Sequence, residues 1–136
     1  MVDAFNPADL WQPFGPFSQI AVQGDGRIVH LKGQVALDRD GRIVGAGDMR
    51  LQLHQVLENI RTALASIGGE MGDILSMTNY VVDMDAFVAA GDVRRAFFAA
   101  PYPVTSTVEV ARLYDRALLV EISAVAEIPT GRFRRP

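Results

Sequence analysis

The fold is decided by residues 103–127, which read PVTSTVEVARLYDRALLVEISAVAE. Apolar and polar residues alternate near both ends of this stretch, and a two-residue period is typical of half-buried β-strands. The first predicted strand has a mainly apolar face made of Val104, Ser106, Val108 and Val110. The second has an apolar face made of Leu118, Val120, Ile122 and Ala124. We therefore expect two strands, joined by a short polar turn, that each bury one face.

Glu121 lies on the opposite face of the second predicted strand, between Leu119 and Ser123. A carboxylate in such company is paired, solvated or used in chemistry. A partly buried glutamate can serve as a general base or a general acid. The alternative is an ion pair across the sheet or a subunit interface, for example with Arg112 or Arg116. The sequence leaves both interpretations open.

The composition is that of one globular domain over residues 1–136, with 49% hydrophobic and 21% charged residues. Thirteen basic and sixteen acidic residues give a net charge of −3, which offers no general attraction for nucleic acid. Cysteine is absent, so disulfides, thiolate catalysis and thiolate-bound metals are excluded. No signal peptide or membrane-spanning stretch is recognisable, and we expect a cytoplasmic protein without membrane contact.

The N-terminal part is predicted to contain an irregular leader and a β-hairpin. Residues 1–18 hold several prolines, which disfavour regular structure. Residues 19–23 and 27–37 are predicted to pair across the compact turn at residues 24–26, which has glycine at both ends. In the second of these strands Gly33 leaves a gap among larger side chains, where a ligand or another backbone can approach.

The middle of the chain is predicted to contain two helices around one strand. Apolar residues at helical spacing predict a helix over 49–67, with Asp48 as its N-cap and two glycines after it. A strand follows over 74–82, and a second helix is expected over 83–98. The basic tail at residues 129–136 is expected to be solvated.

This order of elements predicts an α+β fold with a six-stranded mixed sheet and two helices on one face. The opposite face also carries apolar residues, such as Leu119 and Val125, and a symmetric oligomer would cover it most simply. His30 could carry a proton, but on a mixed strand face we expect a surface or hydrogen-bonded residue. His54 is expected to have a structural role, because no acidic or histidine partner is recognised at metal-ligand spacing. No nucleotide-binding, metal-binding or cofactor motif is present, so neither metal nor cofactor is expected.

Six blocks of this sequence together resemble the YjgF/RidA family, also known as the endoribonuclease L-PSP family. The match covers nearly the whole chain from Gly15 on, and the blocks occur in the family's order: LKGQVALDRDGRIV (31–44), LHQVLENIRTALASIGG (53–69), DILSMTNYVVDMDAF (73–87), AFFAA (96–100), STVEVARL (106–113) and LVEISAVAE (119–127). The resemblance implies a chorismate-mutase-like fold and a homotrimer with small-molecule sites in the clefts between subunits. Members of the RidA type hydrolyse imines and enamines to keto acids and ammonia without a cofactor.

The sequence departs from that family at two positions of the expected pocket. An arginine that binds the substrate carboxylate in RidA-type members precedes the S-x-V-E-V block, and this position is Thr105 here. A threonine gives one neutral hydrogen bond, whereas an arginine gives a charge-assisted, two-pronged one. The family's common tyrosine in the G-P-Y block is replaced by Phe17. Whether another arginine, such as Arg112 or Arg116 of a neighbouring subunit, takes over the carboxylate remains open at this point.

The resemblance therefore implies a deaminase with altered substrate choice, in which Glu121 activates water. The substrate-binding residues would be Phe17, Gly33, Gln34, Thr105 and Thr107. The alternative is a non-catalytic trimer that binds a metabolite or a protein in the same clefts. Ribonuclease activity is disfavoured, because the acidic chain offers no basic groove for RNA.

Overall fold

The computed structural model describes residues 2–136, which form an α+β domain. Its strands are β1 Asp3–Phe5, β2 Ile20–Val22, β3 Arg27–Val35, β4 Ile74–Val81, β5 Val104–Glu109 and β6 Val120–Ile128. Its helices are α1 Met49–Ser66, α2 Met84–Ala89 and α3 Gly91–Arg95, with a 3-10 helix at Met71–Asp73. The long helix and the long strands follow the predicted order.

A four-stranded mixed sheet in the order β3-β6-β4-β5 forms the centre of the domain. β6 runs antiparallel to both of its neighbours, whereas β4 and β5 are parallel. The predicted mixed sheet is thus present, but the strands divide into this sheet and a separate β1-β2 ribbon. The two strands predicted from residues 103–127 are not adjacent, because β4 lies between them.

The predicted hairpin between residues 19–23 and 27–37 is wrong. β2 pairs with β1, which lies inside the segment that was expected to be irregular. The backbone after β2 is instead held by Glu127 at the end of β6, whose carboxylate accepts hydrogen bonds from the amides of Gly24 and Gly26 at 2.8 and 2.7 Å. A charged acceptor satisfies these amides, so the turn separates two sheets instead of closing a hairpin.

The core lies between helix α1 and the central sheet. The side chain of Asp48 caps α1 by accepting a hydrogen bond from the amide of Leu51, as predicted. Alternate side chains of β6 are fully buried against the helix, namely Val120, Ile122, Ala126 and Ile128, while Ala124 is nearly so. On the opposite face of β6, Glu121 and its same-face neighbours are only half-buried. The helices therefore cover one face of the sheet, as the sequence predicts.

Gln52 is a polar residue of α1 that is completely buried. Its amide group donates hydrogen bonds to the carbonyls of Gly45 and Ala117, and its carbonyl oxygen accepts one from the amide of Leu119. These bonds satisfy backbone groups in two loops that have no strand partner there. Gln52 thereby fixes the entry into β6, two residues before Glu121.

The predicted second helix is divided into α2 and α3. Asp83 caps α2, but α2 ends at Ala89 and a new short helix starts at Gly91. Glycine has a low helix propensity, and Gly91 is buried beneath the guanidinium of Arg95. Arg94 therefore belongs to the second of the two short helices.

The C-terminal tail, residues 129–136, is exposed to solvent except for the half-buried Phe133, and it is also held on the domain by hydrogen bonds. Arg132 donates to the buried carboxylate of Asp73 at 2.6 Å and to the carbonyl of Gly68 at 2.9 Å. Arg134 donates to the carbonyl of Ala65 near the end of α1. Cations are favoured at a helix C-terminus, where carbonyl groups lack intrahelical partners.

None of the helices in residues 2–136 is long and apolar enough to cross a membrane.

Candidate functional site

The predicted site residues lie on two different faces of the central sheet. Thr105 pairs in register with Met77, and Thr107 pairs with Asn79. Met77 and Asn79 are buried, so both threonines lie on the face that the helices cover. Glu121 pairs with the half-buried Tyr80 and lies on the opposite face. No single surface of one protomer therefore presents the whole predicted set.

Glu121 lies directly against the backbone of Gly33. A Cβ atom at position 33 would overlap the Oε2 atom of Glu121 and would lie 2.9 Å from its Cδ atom. Within residues 2–136 the carboxylate forms no hydrogen bond or ion pair, and Arg112 instead donates to the carbonyls of Leu113 and Tyr114. The intramolecular ion pair with Arg112 or Arg116 considered above is thus not formed. The half-buried carboxylate keeps its oxygen atoms available for a ligand or a water molecule.

Gln34 is turned away from Glu121, in contrast to the sequence-based expectation. The register between β3 and β6 shifts between Leu31 and Gln34, so one extra residue of β3 is accommodated. A shift of one residue exchanges the two faces of a strand. Gln34 consequently pairs with the buried Ile122 and lines a groove beside α1. Its side chain donates to the carbonyl of Lys32 and does not belong to the Glu121 face.

Phe17, Thr105 and Thr107 are brought together in a cavity of about 320 Å³ on the helix-covered face. The cavity is lined by Trp11, Phe14, Gly15, Phe17, Met84, Phe87, Val88, Gly91, Arg94, Arg95, Thr105 and Thr107. We call it the aromatic–arginine cavity. Its volume lies in the range of small-molecule sites. Three of the five predicted substrate-binding residues thus share one concave surface.

The leader places its aromatic residues at the mouth of this cavity. The amide of Ser18 donates to the carbonyl of Pro103 at 2.9 Å, and Ser18 forms a parallel bridge with Val104. This contact fixes Phe17 beside the start of β5. The rings of Trp11, Phe14 and Phe17 contact one another, with centroids 5.3–5.9 Å apart. Phe14 remains 83% exposed, which leaves an aromatic surface available for a ligand or a neighbouring subunit.

The hydroxyl group of Thr107 is oriented from behind by Asn79. The buried side-chain amide of Asn79 donates to Thr107 Oγ1 at 3.0 Å. Because the oxygen accepts this bond, the hydroxyl hydrogen of Thr107 is left to donate elsewhere. Thr107 makes no second side-chain hydrogen bond within residues 2–136. Thr107 therefore lines the cavity with a hydroxyl hydrogen that is free to donate a hydrogen bond.

Arg94 is a cavity residue that the sequence reasoning did not identify. Its guanidinium carbon lies 4.5 Å from the centroid of the Phe87 ring, and its buried Nε atom has no hydrogen-bond acceptor in the described chain. Burial, and secondarily the charge of Arg95, lower the pKa of the Arg94 guanidinium. One signal was visible in the sequence: an arginine stands among the apolar residues on the inner side of the predicted second helix.

The two histidines do not join either group of site residues. His30 lies beside a separate hollow on the face of Glu121, together with Ser76 and Thr78. The ring of His54 packs against Phe97, with centroids 5.4 Å apart. Among the described residues, no three His, Asp or Glu side chains lie close enough to hold a metal ion.

Comparison with known proteins agrees with this architecture. The family model for Endoribonuclease L-PSP matches residues 8–128. A RutC family protein of Pyrococcus horikoshii is 37% identical over 85% of this chain and 89% of its own length. A 2-iminobutanoate/2-iminopropanoate deaminase of Dermatophagoides farinae is 34% identical over 86% of this chain and 89% of its own.

Solved structures show the same fold. A Rid family protein of Yersinia pestis, YyfB, superimposes with a TM-score of 0.85 at 31% identity, over 93% of this chain and 98% of that one. RidA of a Psychrobacter species gives a TM-score of 0.69 at 28% identity, over 86% and 92% of the two chains. The predicted α+β fold of the YjgF/RidA type is thus confirmed.

The mixed sheet carries helices on one face and, on the other, Glu121 against the backbone of Gly33. With the matches above, these features define a small α+β protein of the Rid class. The chain belongs to the YjgF/RidA family, which the Endoribonuclease L-PSP model describes.

Proposed function

We propose that the protein is a cofactor-independent hydrolase of imine or enamine metabolites, in which Glu121 activates water. The observation that carries this proposal is the Glu121 carboxylate, which is half-buried against Gly33 and makes no ion pair or hydrogen bond within residues 2–136. A carboxylate held in this way can accept a proton from water. The relative from Dermatophagoides farinae that bears the name of an imino-acid deaminase supports the same reaction class here.

The reaction needs one group that first accepts and then returns a proton. The oxygen of water bonds to the carbon of the protonated imine, the C=N π electrons move to the nitrogen, and the Glu121 carboxylate takes a proton from that water. The nitrogen of the resulting neutral aminoalcohol then accepts the proton held by Glu121. The C–N bond breaks and ammonia leaves with the bonding electrons, while the hydroxyl proton passes back to the Glu121 carboxylate as the carbonyl forms and is then released to solvent. Proton transfer of this kind contributes roughly 10²–10⁴-fold to a rate.

A cleft between subunits would complete the site. Glu121 and the aromatic–arginine cavity lie on opposite faces of the sheet of one protomer. A substrate that contacts both must therefore bind between two copies of the chain. We propose a homotrimer, as the family resemblance implies, since cyclic symmetry places the same two surfaces together at every interface. The expected mass in solution is three times the 14.8 kDa of one chain, measurable by light scattering.

We propose a small-molecule substrate and not RNA, although the family model carries a ribonuclease name. The net charge of −3 provides no general field for a polyanion. The cavity of about 320 Å³ instead has the dimensions of a metabolite site.

The test is ammonia release from imines that an amino-acid oxidase generates in situ. Glu121→Gln should lower kcat by about 100-fold or more, because the amide cannot accept the proton. Glu58→Gln is the matched control, since it makes the same change at a half-buried glutamate on α1, which bonds Arg61. The proposal fails if wild type releases ammonia no faster than buffer across a broad panel of imines. It also fails if Glu121→Gln retains full activity. Saturable ligand binding without turnover would identify the non-catalytic alternative.

A further inference from the structure

Arg94 is a half-buried cation without an acidic partner among the described residues. Its guanidinium stacks on the ring of Phe87 and leaves its Nε atom without an acceptor. Arg95, the other cation of the cavity wall, also forms no ion pair in the described chain. Two adjacent guanidinium groups and no carboxylate thus line the aromatic–arginine cavity. A desolvated charge of this kind is costly unless an anion compensates it.

Three acidic residues near the cavity are engaged in structural contacts. Asp92 accepts two hydrogen bonds from Arg50, at 2.8 and 2.7 Å. Asp83 caps α2, and Glu109 accepts a hydrogen bond from the amide of Met84. None of these carboxylates is among the residues that line the cavity. The compensating anion would therefore come from a ligand.

The remaining cavity wall indicates which anion fits. The hydroxyl group of Thr107, which Asn79 orients, and the hydroxyl group of Thr105 line the cavity from strand β5. Trp11, Phe14 and Phe17 provide apolar rings at the mouth. A guanidinium fork and hydroxyl donors match a planar carboxylate, and aromatic walls match a bulky apolar substituent. An amphipathic anion uses both parts of the cavity.

We propose that Arg94, together with the hydroxyls of Thr105 and Thr107, binds the carboxylate of a ligand whose bulky apolar or aromatic side chain lies against the leader. An arginine at position 105 would place a third guanidinium in this cavity. Threonine leaves that space free for the ligand. As a statement about the substrate class of the deaminase, the inference rests on the proposed function, but the binding itself requires no turnover.

The test uses ligands that cannot be hydrolysed. Isothermal titration of the full-length protein compares 3-phenylpropanoate with its neutral isostere 3-phenylpropanamide, and with propanoate, which lacks the ring. Wild type should bind 3-phenylpropanoate more tightly than either. Arg94→Gln should weaken 3-phenylpropanoate binding by roughly 30-fold or more, because one partner of a desolvated charge pair is lost. It should leave the weak binding of the amide unchanged.

Arg61→Gln is the matched control. Its guanidinium also lies over a phenylalanine ring, that of Phe97, but it pairs with Glu58 and lies outside the cavity. This variant should bind 3-phenylpropanoate like wild type. Arg94→Lys should restore part of the affinity, since it keeps the charge but not the planar fork.

Equal affinity of wild type for the carboxylate and the amide would overturn the proposal, and this comparison needs no variant to fold. Wild-type affinity in a folded Arg94→Gln protein would also overturn it. Tighter binding of phenyl phosphate than of the carboxylate would refute the assignment to carboxylates. Binding that depends on Arg94 in a protein without ammonia release would refute only the proposed hydrolysis. Hydrolysis that is indifferent to Arg94 would refute only this inference.

Discussion

Replacing Gly33 with alanine tests whether the position of Glu121, and not merely its presence, supports activity. The added Cβ atom would overlap Glu121 Oε2 and would lie 2.9 Å from Cδ and 3.0 Å from Cγ. Since ordinary carbon contacts start near 3.5 Å, the carboxylate must move by about 1 Å or more. Misplacement by about 1 Å can cost roughly 100-fold in rate. We therefore expect Gly33→Ala to lower kcat about 100-fold although Glu121 is retained.

The assay is the same ammonia release, combined with urea unfolding. The loss of stability should be modest, about 1–2 kcal/mol, because the clash involves the end of a flexible side chain and not the backbone. Gly72→Ala is the matched control, since a Cβ atom there meets nothing within 4 Å. It should leave the rate unchanged and should not lower the free energy of unfolding. A Gly33→Ala protein with wild-type kcat would refute the view that the bare backbone positions the carboxylate.

Two further predictions concern the supporting structure. Gln52→Leu should lower the free energy of unfolding, measured by urea titration, by roughly 3 kcal/mol. The reason is that three backbone groups, at Gly45, Ala117 and Leu119, lose their hydrogen bonds. A loss below about 1 kcal/mol would contradict this prediction. The hydrogen bonds from Arg50 lower the pKa of Asp92 to about 2. The stabilisation by this pair is therefore complete above the usual carboxyl pKa near 4. It is lost as the pH falls from about 4 to about 2. Asp92→Asn should remove a small part of the acid sensitivity of the urea midpoint in that window, whereas Asp85→Asn, which removes an unpaired carboxylate in the described chain, should not.

Elements with strong local signals were predictable from the sequence. Helix α1 has an apolar stripe, an N-cap at Asp48 and a glycine after its end, and the structure places it at Met49–Ser66. The alternation in β6 likewise assigned its buried face. Strand pairing was not predictable in the same way, because it depends on contacts distant in sequence. The bond of Glu127 to Gly24 is one such contact, and it joins residues 103 positions apart.

The site was predictable only in part, because a single bulge decides which residues face the carboxylate. The family resemblance placed Gly33 and Gln34 in one pocket, although they are adjacent residues of one strand. The register shift before Gln34 leaves Gly33 against Glu121 but turns Gln34 towards α1. A bulge of this kind has little signature in a strand of mixed polarity. Gly33 itself was the available signal, since glycine inside a strand marks a bulge or a close approach.

The place of the cation in the cavity illustrates the same limit. In the sequence, Arg94 is a charged residue on the apolar side of a predicted helix. Thr105 is a neutral residue at a strand position where RidA-type members carry an arginine. The structure places Arg94 on α3 and Thr105 on β5, and both line one cavity. A guanidinium on α3 reaches the cavity from the helix side, whereas one at position 105 would extend from the rigid sheet. Because the hydroxyls of Thr105 and Thr107 are on the strand, an anion bound by Arg94 would still lie beside β5, and the apolar part of the ligand would lie against the leader.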